Sequence, residues 1–232
     1  MGRRARDGRP LHGPMTQKRI FLVDDHPMVR EWLTTHIQHQ TDLAICGEAE
    51  DAASALQSIL ALKPDVAIVD ISLPRRSGIE LIQDLKQLQP DVAVIVSSMH
   101  DEMLYAERAL RAGARGYIMK RETTEKIVAA IREVLAGNLY VSDRMKARLA
   151  EKFVGGAPSV HESPLGLLSN RELEVFQLLG QGRDTKQIAE DLGVNFKTVH
   201  AYCARIKEKL KLTRASELLR EAVRWEEQRH RT

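Results

Sequence analysis

The sequence predicts an α/β domain, a five-stranded parallel sheet with helices on both faces, followed by an all-α end built as a helix-turn-helix. Three observations carry this. Short apolar runs alternate with 3.6-residue periodicity from residue 20 to residue 136, the alternation stops after residue 138, and the last stretch shows only helical patterns separated by tight turns. At 232 residues, 43% hydrophobic and 29% charged, the chain suits two ordinary domains and is neither disordered nor fibrous. No run of 18 apolar residues occurs, which excludes a membrane-spanning helix. Cys46 and Cys203 are too few for a disulfide framework or a four-cysteine zinc site, and they point to a reducing, cytoplasmic compartment.

Residues 1–17 are basic and rich in Gly and Pro, without an apolar stretch for a secretory signal; they read as a disordered tail, or as a mis-called start with Met15 as the first residue. From there to residue 137 runs the α/β domain. IFLV (20–23), LAICG (43–47), VAIVD (66–70), VAVIVS (92–97) and RGYIM (115–119) read as strands, nearly continuous in Val, Ile and Ala as strands buried on both faces should be. Helical periodicity lies near 27–39, 51–62, 78–88, 101–112 and 123–136, with Asp51 and Thr123 at N-cap positions. Strands alternating with helices imply crossovers and hence a parallel sheet.

Asp24 and Asp25 follow the first strand and Asp70 ends the third, so all three converge on the carboxyl edge of the sheet, where open α/β sheets bind ligands. Clustered carboxylates repel each other and call for a cation, and all-oxygen ligation favours Mg²⁺. Lys120, after the fifth strand, can bring an ammonium to the same edge, and Ser98, after the fourth, a hydroxyl. His36 and His39 share a helix at i and i+3, but with no third ligand they read as a solvated face.

Residues 138–164 form a linker with a possible short helix at 142–153 and a Gly, Pro and Ser-rich stretch after it. The C-terminal domain, 165–232, opens with a capping box at Ser169 and Glu172. A helix ending near Gly180 or Gly182, a second at 184–192 stopped by Gly193, a third from Asn195 to about Lys211 and a fourth capped by Thr213 follow. Small Ala189, Gly193 and β-branched Val199 are spaced as a helix-turn-helix needs. On the third helix Phe196, Val199, Cys203, Ile206 and Leu210 form an apolar stripe, and residues 195–214 carry six basic side chains against one acidic. Residues 19–136, in contrast, carry 13 basic and 18 acidic. The basic helix fits DNA: Lys197, Arg205 and Lys209 would meet phosphates, while small Ala201 and Ala204 let it sit deep in the major groove.

LVDDHPMVRE, AIVDISLPRRSGIEL, VIVSSMHDE and RAGARGYIMK, with 28 residues from Asp70 to Ser98 and 22 on to Lys120, resemble the receiver domain of two-component response regulators, a flavodoxin-like fold. LSNRELEVFQLLGQGRDTKQIAEDLGVNFKTVHAYCARIKEKLKL resembles the LuxR-type helix-turn-helix, so the whole chain is similar to regulators of the NarL/FixJ type.

The resemblance implies a DNA-binding transcriptional regulator switched by phosphorylation. Asp70 would accept a phosphoryl group from a partner sensor histidine kinase, with Mg²⁺ on Asp24, Asp25, Asp70 and the backbone carbonyl of Ser72. Lys120 would pair with the phosphoryl group, Ser98 would hydrogen-bond it, and the Tyr117 ring would follow that hydroxyl inward. Ser97 is a rival hydroxyl that strand alternation points the other way. Pro74 and Gly78 would shape the loop after Asp70, and His100 occupies a position that tunes the lifetime of the phosphoryl group. Lys197, Thr198, His200, Ala201, Ala204 and Arg205 would contact promoter DNA, and the last helix would make a homodimer. Such a chain is not a turnover enzyme. Two other readings stay open: a receiver acting as an unphosphorylated interaction module, and a Mg²⁺-dependent phosphatase, which would want an acid where Ser72 stands.

Overall fold

The computed structural model describes residues 17–154 and 164–230. The predicted N-terminal tail, apart from Gln17, and most of the Gly and Pro-rich linker stretch lie outside the described residues.

The first domain is the expected doubly wound α/β fold. Five strands, β1 (Lys18–Val23), β2 (Leu43–Ala49), β3 (Val66–Val69), β4 (Ala93–Ser98) and β5 (Gly116–Met119), alternate with α1 (Pro27–Gln38), α2 (Ala52–Leu62), α3 (Gly78–Leu88), α4 (Glu102–Ala112) and α5 (Thr124–Leu135). The sheet is parallel throughout, in the order β2-β1-β3-β4-β5. Alternation along β1 divides its buried side chains between the two faces. Ile20 and Leu22 pack with Leu33 and Ile37 of α1 and with Ile127 and Ile131 of α5. Phe21 and Val23 enter the opposite core, beneath α2, α3 and α4. Burying each such side chain contributes about 1.5–3 kcal/mol, and that drives the sheet's closure between helices.

α6 (Asp143–Val154) is the linker helix. A 3₁₀ turn (Pro164–Leu167) leads into α7 (Asn170–Gly180), α8 (Thr185–Asp191), α9 (Phe196–Lys209) and α10 (Ala215–His230). The capping box forms as expected, with the Ser169 hydroxyl accepting from Glu172 N and the Glu172 carboxylate accepting from Ser169 N. Gly193 takes φ +61°, the left-handed conformation the tight turn between α8 and α9 requires, and Val199 beneath it is fully buried.

Three local expectations are corrected. Thr123 stands at the N-cap of α5 but its side chain makes no capping bond to the backbone. Thr213 does not cap α10 through its oxygen: its hydroxyl and backbone N–H, with Arg214 N, all donate to the Glu217 carboxylate, which reaches back from the first turn. Phe196, at the start of the apolar stripe of α9, is half exposed, its ring edge-on to His200 rather than packed in the core.

Candidate functional site

Strand order reverses between β1 and β3, so the loops leaving these neighbours part and open a crevice at the carboxyl edge. Asp24 and Asp25 follow β1, and Asp70 follows β3. Asp24 and Asp70 are buried and Asp25 half-buried. One ligating atom from each of Asp24, Asp25, His26 and Asp70 lies within 4.8 Å of the others. Lys120, just past β5, places Nζ 2.7 Å from Asp24 Oδ2 and 2.7 Å from Asp70 Oδ2. Three acids and a lysine drawn from loops as far apart as residues 24 and 120 therefore meet, as expected.

Burial pushes the Asp70 carboxyl above its ordinary range, and the Asp24 charge adds to that against the pull of Lys120. Burial also works against the Lys120 ammonium, but the Asp70 and Asp24 carboxylates outweigh it and hold the amine charged. One cation thus faces more negative charge than it can offset. Asp25 Oδ1 is buried and, though 2.6 Å from His26 Nδ1, receives no aligned hydrogen bond among the described residues. An orphaned hard oxygen beside two more carboxylates fits Mg²⁺.

The backbone around Asp70 is held from both sides. Ser72 N donates to Asp70 Oδ1 at 3.3 Å. Gly78 opens α3 so close to Asp70 that a Cβ there would lie 1.9 Å from the Asp70 carbonyl oxygen. Gly78 N also donates to Ile71 O at 2.8 Å, a bond any residue but proline could make; the missing side chain is what the loop requires.

Ser98 is fully buried at the end of β4, and its Oγ accepts from His100 N at 3.2 Å. The Tyr117 hydroxyl donates to His100 O at 2.8 Å. Tyr117 is 2% exposed, so its ring already lies inside in this structure, where the resemblance implies an inward movement on activation. Ser97 faces the other side of the sheet, lining a groove with Met28, Trp32 and Lys120, so the two serines point apart as alternation requires. Reasoning from sequence missed what His100 touches: Nε2 lies 2.7 Å from Ser72 Oγ, and its ring stacks on Tyr105 of α4.

On α9, Lys197, His200, Ala204 and Arg205 are exposed, and Thr198 and Ala201 half-buried. These six share the outer side of the helix, opposite buried Val199 and Ile206. The Arg205 guanidinium lies over the Tyr202 ring, 5.4 Å from its centroid. Lys209 differs from the rest: its Nζ lies 2.6 Å from Oε2 of the buried Glu172, so it is spent inside the domain.

The two domains are joined by contacts that the sequence did not announce. Arg171 of α7 donates to Leu73 O at 2.8 Å, and Arg75 N to Leu192 O at 3.3 Å. Arg108 of α4 donates to Leu165 O, Leu168 O and Asn170 Oδ1. The one available signal was a polar run, Arg171, Glu174 and Gln177, on a helix with apolar residues on its other sides.

Residues 20–132 match the response regulator receiver domain, and residues 166–222 the luxR family of bacterial regulatory proteins. The chain is 34% identical over 210 residues to the oxygen regulatory protein NreC of Staphylococcus carnosus, covering 89% of this chain and 97% of that one. It is 35% identical over 206 residues to the response regulator GacA of Pseudomonas aeruginosa, covering 89% and 95%. A crystal structure of a LuxR-family two-component response regulator from Aurantimonas is similar with a TM-score of 0.56 at 34% identity, over 60% of this chain and 99% of that chain. With the acid pocket at one end and the glycine-turned helix pair at the other, the chain belongs to the response regulators that join a receiver domain to a LuxR-type DNA-binding domain.

Proposed function

We propose that this chain is a transcriptional regulator whose DNA binding is switched by phosphorylation of Asp70. The observation that carries the reading is Lys120 Nζ, 2.7 Å from Asp70 Oδ2, beside Asp24 and Asp25 and in one chain with an exposed basic helix. An Asp70 carboxylate oxygen attacks the phosphorus of a phosphohistidine on a sensor kinase. The N–P bond breaks, imidazole leaves, and an acyl phosphate forms. Asp24, Asp25, Asp70 and the Ser72 carbonyl would hold Mg²⁺, which would supply positive charge to offset that on the transferred group. Lys120 then pairs with a phosphoryl oxygen in place of the carboxylate, and Ser98 turns its hydroxyl to another. An apolar groove of about 310 Å³ beside Lys120, with exposed Met28 and Trp32 on its rim, suits a helix of the kinase.

On the output side Lys197 and Arg205 meet phosphates, and Thr198, His200, Ala201 and Ala204 face the major groove. The active form is a homodimer through α10 on palindromic half-sites about one helical turn apart. The chain is no turnover enzyme, since Ser72 supplies no acid two residues beyond Asp70. It acts in the bacterial cytoplasm.

Incubation with Mg²⁺ and a small acyl-phosphate donor tests this. One acid- and base-labile phosphoryl group is expected on the wild type and none on Asp70→Asn. A label that survives in the variant, or sustained turnover of an external phosphoester, overturns the reading.

A further inference from the structure

We infer that the cavity between α4, the linker helix α6 and the start of α7 binds a small apolar carboxylate, with its head on Arg108 and Arg148. The cavity shares no lining residue with the acid pocket, and its ligand is independent of the state of Asp70.

The cavity has a volume of about 310 Å³, at the lower end of the range for small-molecule sites. That is room for roughly ten water-sized groups. Its apolar wall is made by Met103 and Leu104 of α4, Leu165 of the 3₁₀ turn and Leu173 of α7. Leu165 and Leu173 are buried and the other two half-buried, so the fold sets the wall in place. Around it stand four cations, Arg108 and Arg111 of α4 with Arg148 and Lys152 of α6, against one acid, Glu107.

Glu107 is already committed. Lys152 Nζ lies 2.7 Å from its Oε2, and Arg111 Nη2 lies 2.7 Å from its Oε1. Burial works against the Glu107 charge, but Lys152, Arg111 and, at longer range, Arg148 outweigh it and hold the carboxyl below its ordinary range.

Arg108 and Arg148 are placed differently. Both are half-buried, and among the described residues their guanidinium groups meet only neutral oxygens. Arg108 donates to Leu168 O at 2.6 Å, Leu165 O at 2.8 Å and Asn170 Oδ1 at 3.3 Å. Arg148 donates to Met103 O at 3.1 Å and spends no other N–H on the described residues. Such oxygens orient the guanidinium planes but leave both charges unpaired. Burial works against the Arg108 charge, and a guanidinium keeps its proton under that pressure, so what relieves it is an anion.

The ligand must meet both halves of this lining. An inorganic anion would pair the arginines and leave the apolar wall wet. A neutral chain would cover the wall and leave the cations buried without a counter-charge. A carboxylate on a short hydrocarbon does both, and its two oxygens match the fork of N–H donors that Arg148 holds free. Because both guanidinium groups are already fixed by backbone carbonyls, little ordering is left for binding to impose.

The test titrates decanoate into the full chain by calorimetry at low salt, beside decanol and inorganic phosphate, each of which carries half of the recognition. Decanoate should saturate one site per chain and bind about tenfold or more tightly than either control, since only it joins charge-assisted hydrogen bonds to an apolar body. Added salt should weaken decanoate and not decanol, a readout that needs no variant. Arg148→Met keeps an unbranched apolar stem without the charge, and should weaken decanoate about tenfold. Lys146→Met makes the same change on α6 outside the cavity and should leave the affinity unmoved. Circular dichroism verifies that both variants keep the wild-type helix content. Decanol bound as tightly as decanoate reduces the cavity to an apolar gap and overturns the site. Phosphate bound as tightly, wild-type affinity in Arg148→Met, or no saturable binding of decanoate does so too.

Discussion

The Arg171 guanidinium, in the first turn of α7, donates a 2.8 Å hydrogen bond to the carbonyl oxygen of Leu73, three residues past Asp70 and 98 positions away in sequence. This ties the DNA-binding domain to the loop that closes the acid pocket. Arg171 also pairs with Glu174 Oε2 at 2.7 Å, and both side chains are buried. Burial pushes the Glu174 carboxyl up to about 7, against the opposing charge of Arg171, and its Oε1 finds no hydrogen-bond partner among the described residues.

Glu174 should therefore make stability fall as pH rises from about 5 to 8. Its folded-state value lies above the ordinary 4.5, so the native state holds a proton that the unfolded chain has already released. The penalty is absent below pH 4.5, grows to about pH 7, and is on the order of 3 kcal/mol above that. Glu174→Gln keeps an acceptor for Arg171 and removes the titration. Denaturant melts of both proteins at pH 5 and pH 8 should show the variant gaining on the wild type only at the higher pH. A difference independent of pH would mean that Glu174 is ionised throughout.

Gly78→Ala should disturb the acid pocket from a distance in sequence. The added methyl would lie 1.9 Å from the Asp70 carbonyl oxygen, which is backbone and cannot swing aside. The start of α3 or the Asp70 backbone must move, at a cost of about 1–3 kcal/mol. Slower labelling from a small phosphodonor, together with a lower melting temperature, is expected. Normal labelling would show that α3 absorbs the shift alone.

Lys120→Ala strips the buried carboxylates of their counter-ion. Nζ bridges Asp24 Oδ2 and Asp70 Oδ2, and the side chains are only 9% and 4% exposed, so the variant should lose about 3 kcal/mol. Millimolar Mg²⁺ should restore part of this, since it supplies the missing charge to the same oxygens. Asp70 should still take a label, but DNA affinity should no longer respond to it. A stability change that Mg²⁺ leaves untouched would argue that the carboxylates are not a metal site.

Much of this was legible because the signals are local. The five strands announced themselves as apolar runs, and observed ends fall within two residues of the expected ones. Asp24, Asp25, Asp70 and Lys120 were placed by topology alone, since each follows a strand of a parallel sheet. The interface between the domains was not legible. Arg171, Glu174 and Gln177 recur every three residues along α7, which reads as a solvated face, yet all three are buried. What covers them, Leu73 and Tyr105, is about 70 to 100 positions away, and no helical period encodes a partner at that range. The Lys209 ion pair was illegible for the same reason: its charge pattern matches a DNA contact, while its partner Glu172 sits on another helix.

Lys209 and Arg205 should thus fail differently. Arg205 has no carboxylate partner among the described residues and lies exposed over Tyr202. Each lost phosphate contact lowers the slope of log K against log salt by about 0.9, so Arg205→Ala in a homodimer should change it by about 2 and weaken all sequences alike. Lys209→Ala instead strands the buried Glu172 carboxylate and loosens the capping box of α7. Its melting temperature should fall while its salt slope stays near that of the wild type. Band shifts at several salt concentrations, read beside thermal melts, separate the two; equal slope changes would place both side chains on DNA.

Ala201→Glu should abolish DNA binding while leaving the fold intact. Ala201 is half-buried on the outer side of α9, three residues before exposed Ala204, so the pair forms a shallow strip between Lys197 and Arg205. Small side chains let a helix approach base edges closely enough for contact with thymine methyls. A glutamate there reaches into the groove, where phosphates line both walls and most base-edge groups on adenine, guanine and thymine are acceptors. Its carboxylate would be desolvated without a partner. The helix cannot rotate to hide it, because Val199 and Ile206 anchor the opposite side in the core. Ala201→Ser adds a small hydroxyl that can donate or accept, and should bind with only a modest loss. The comparison is made by titrating both variants against the same duplex, with circular dichroism to verify helix content. Binding by Ala201→Glu at wild-type strength would mean that another face of the domain meets DNA.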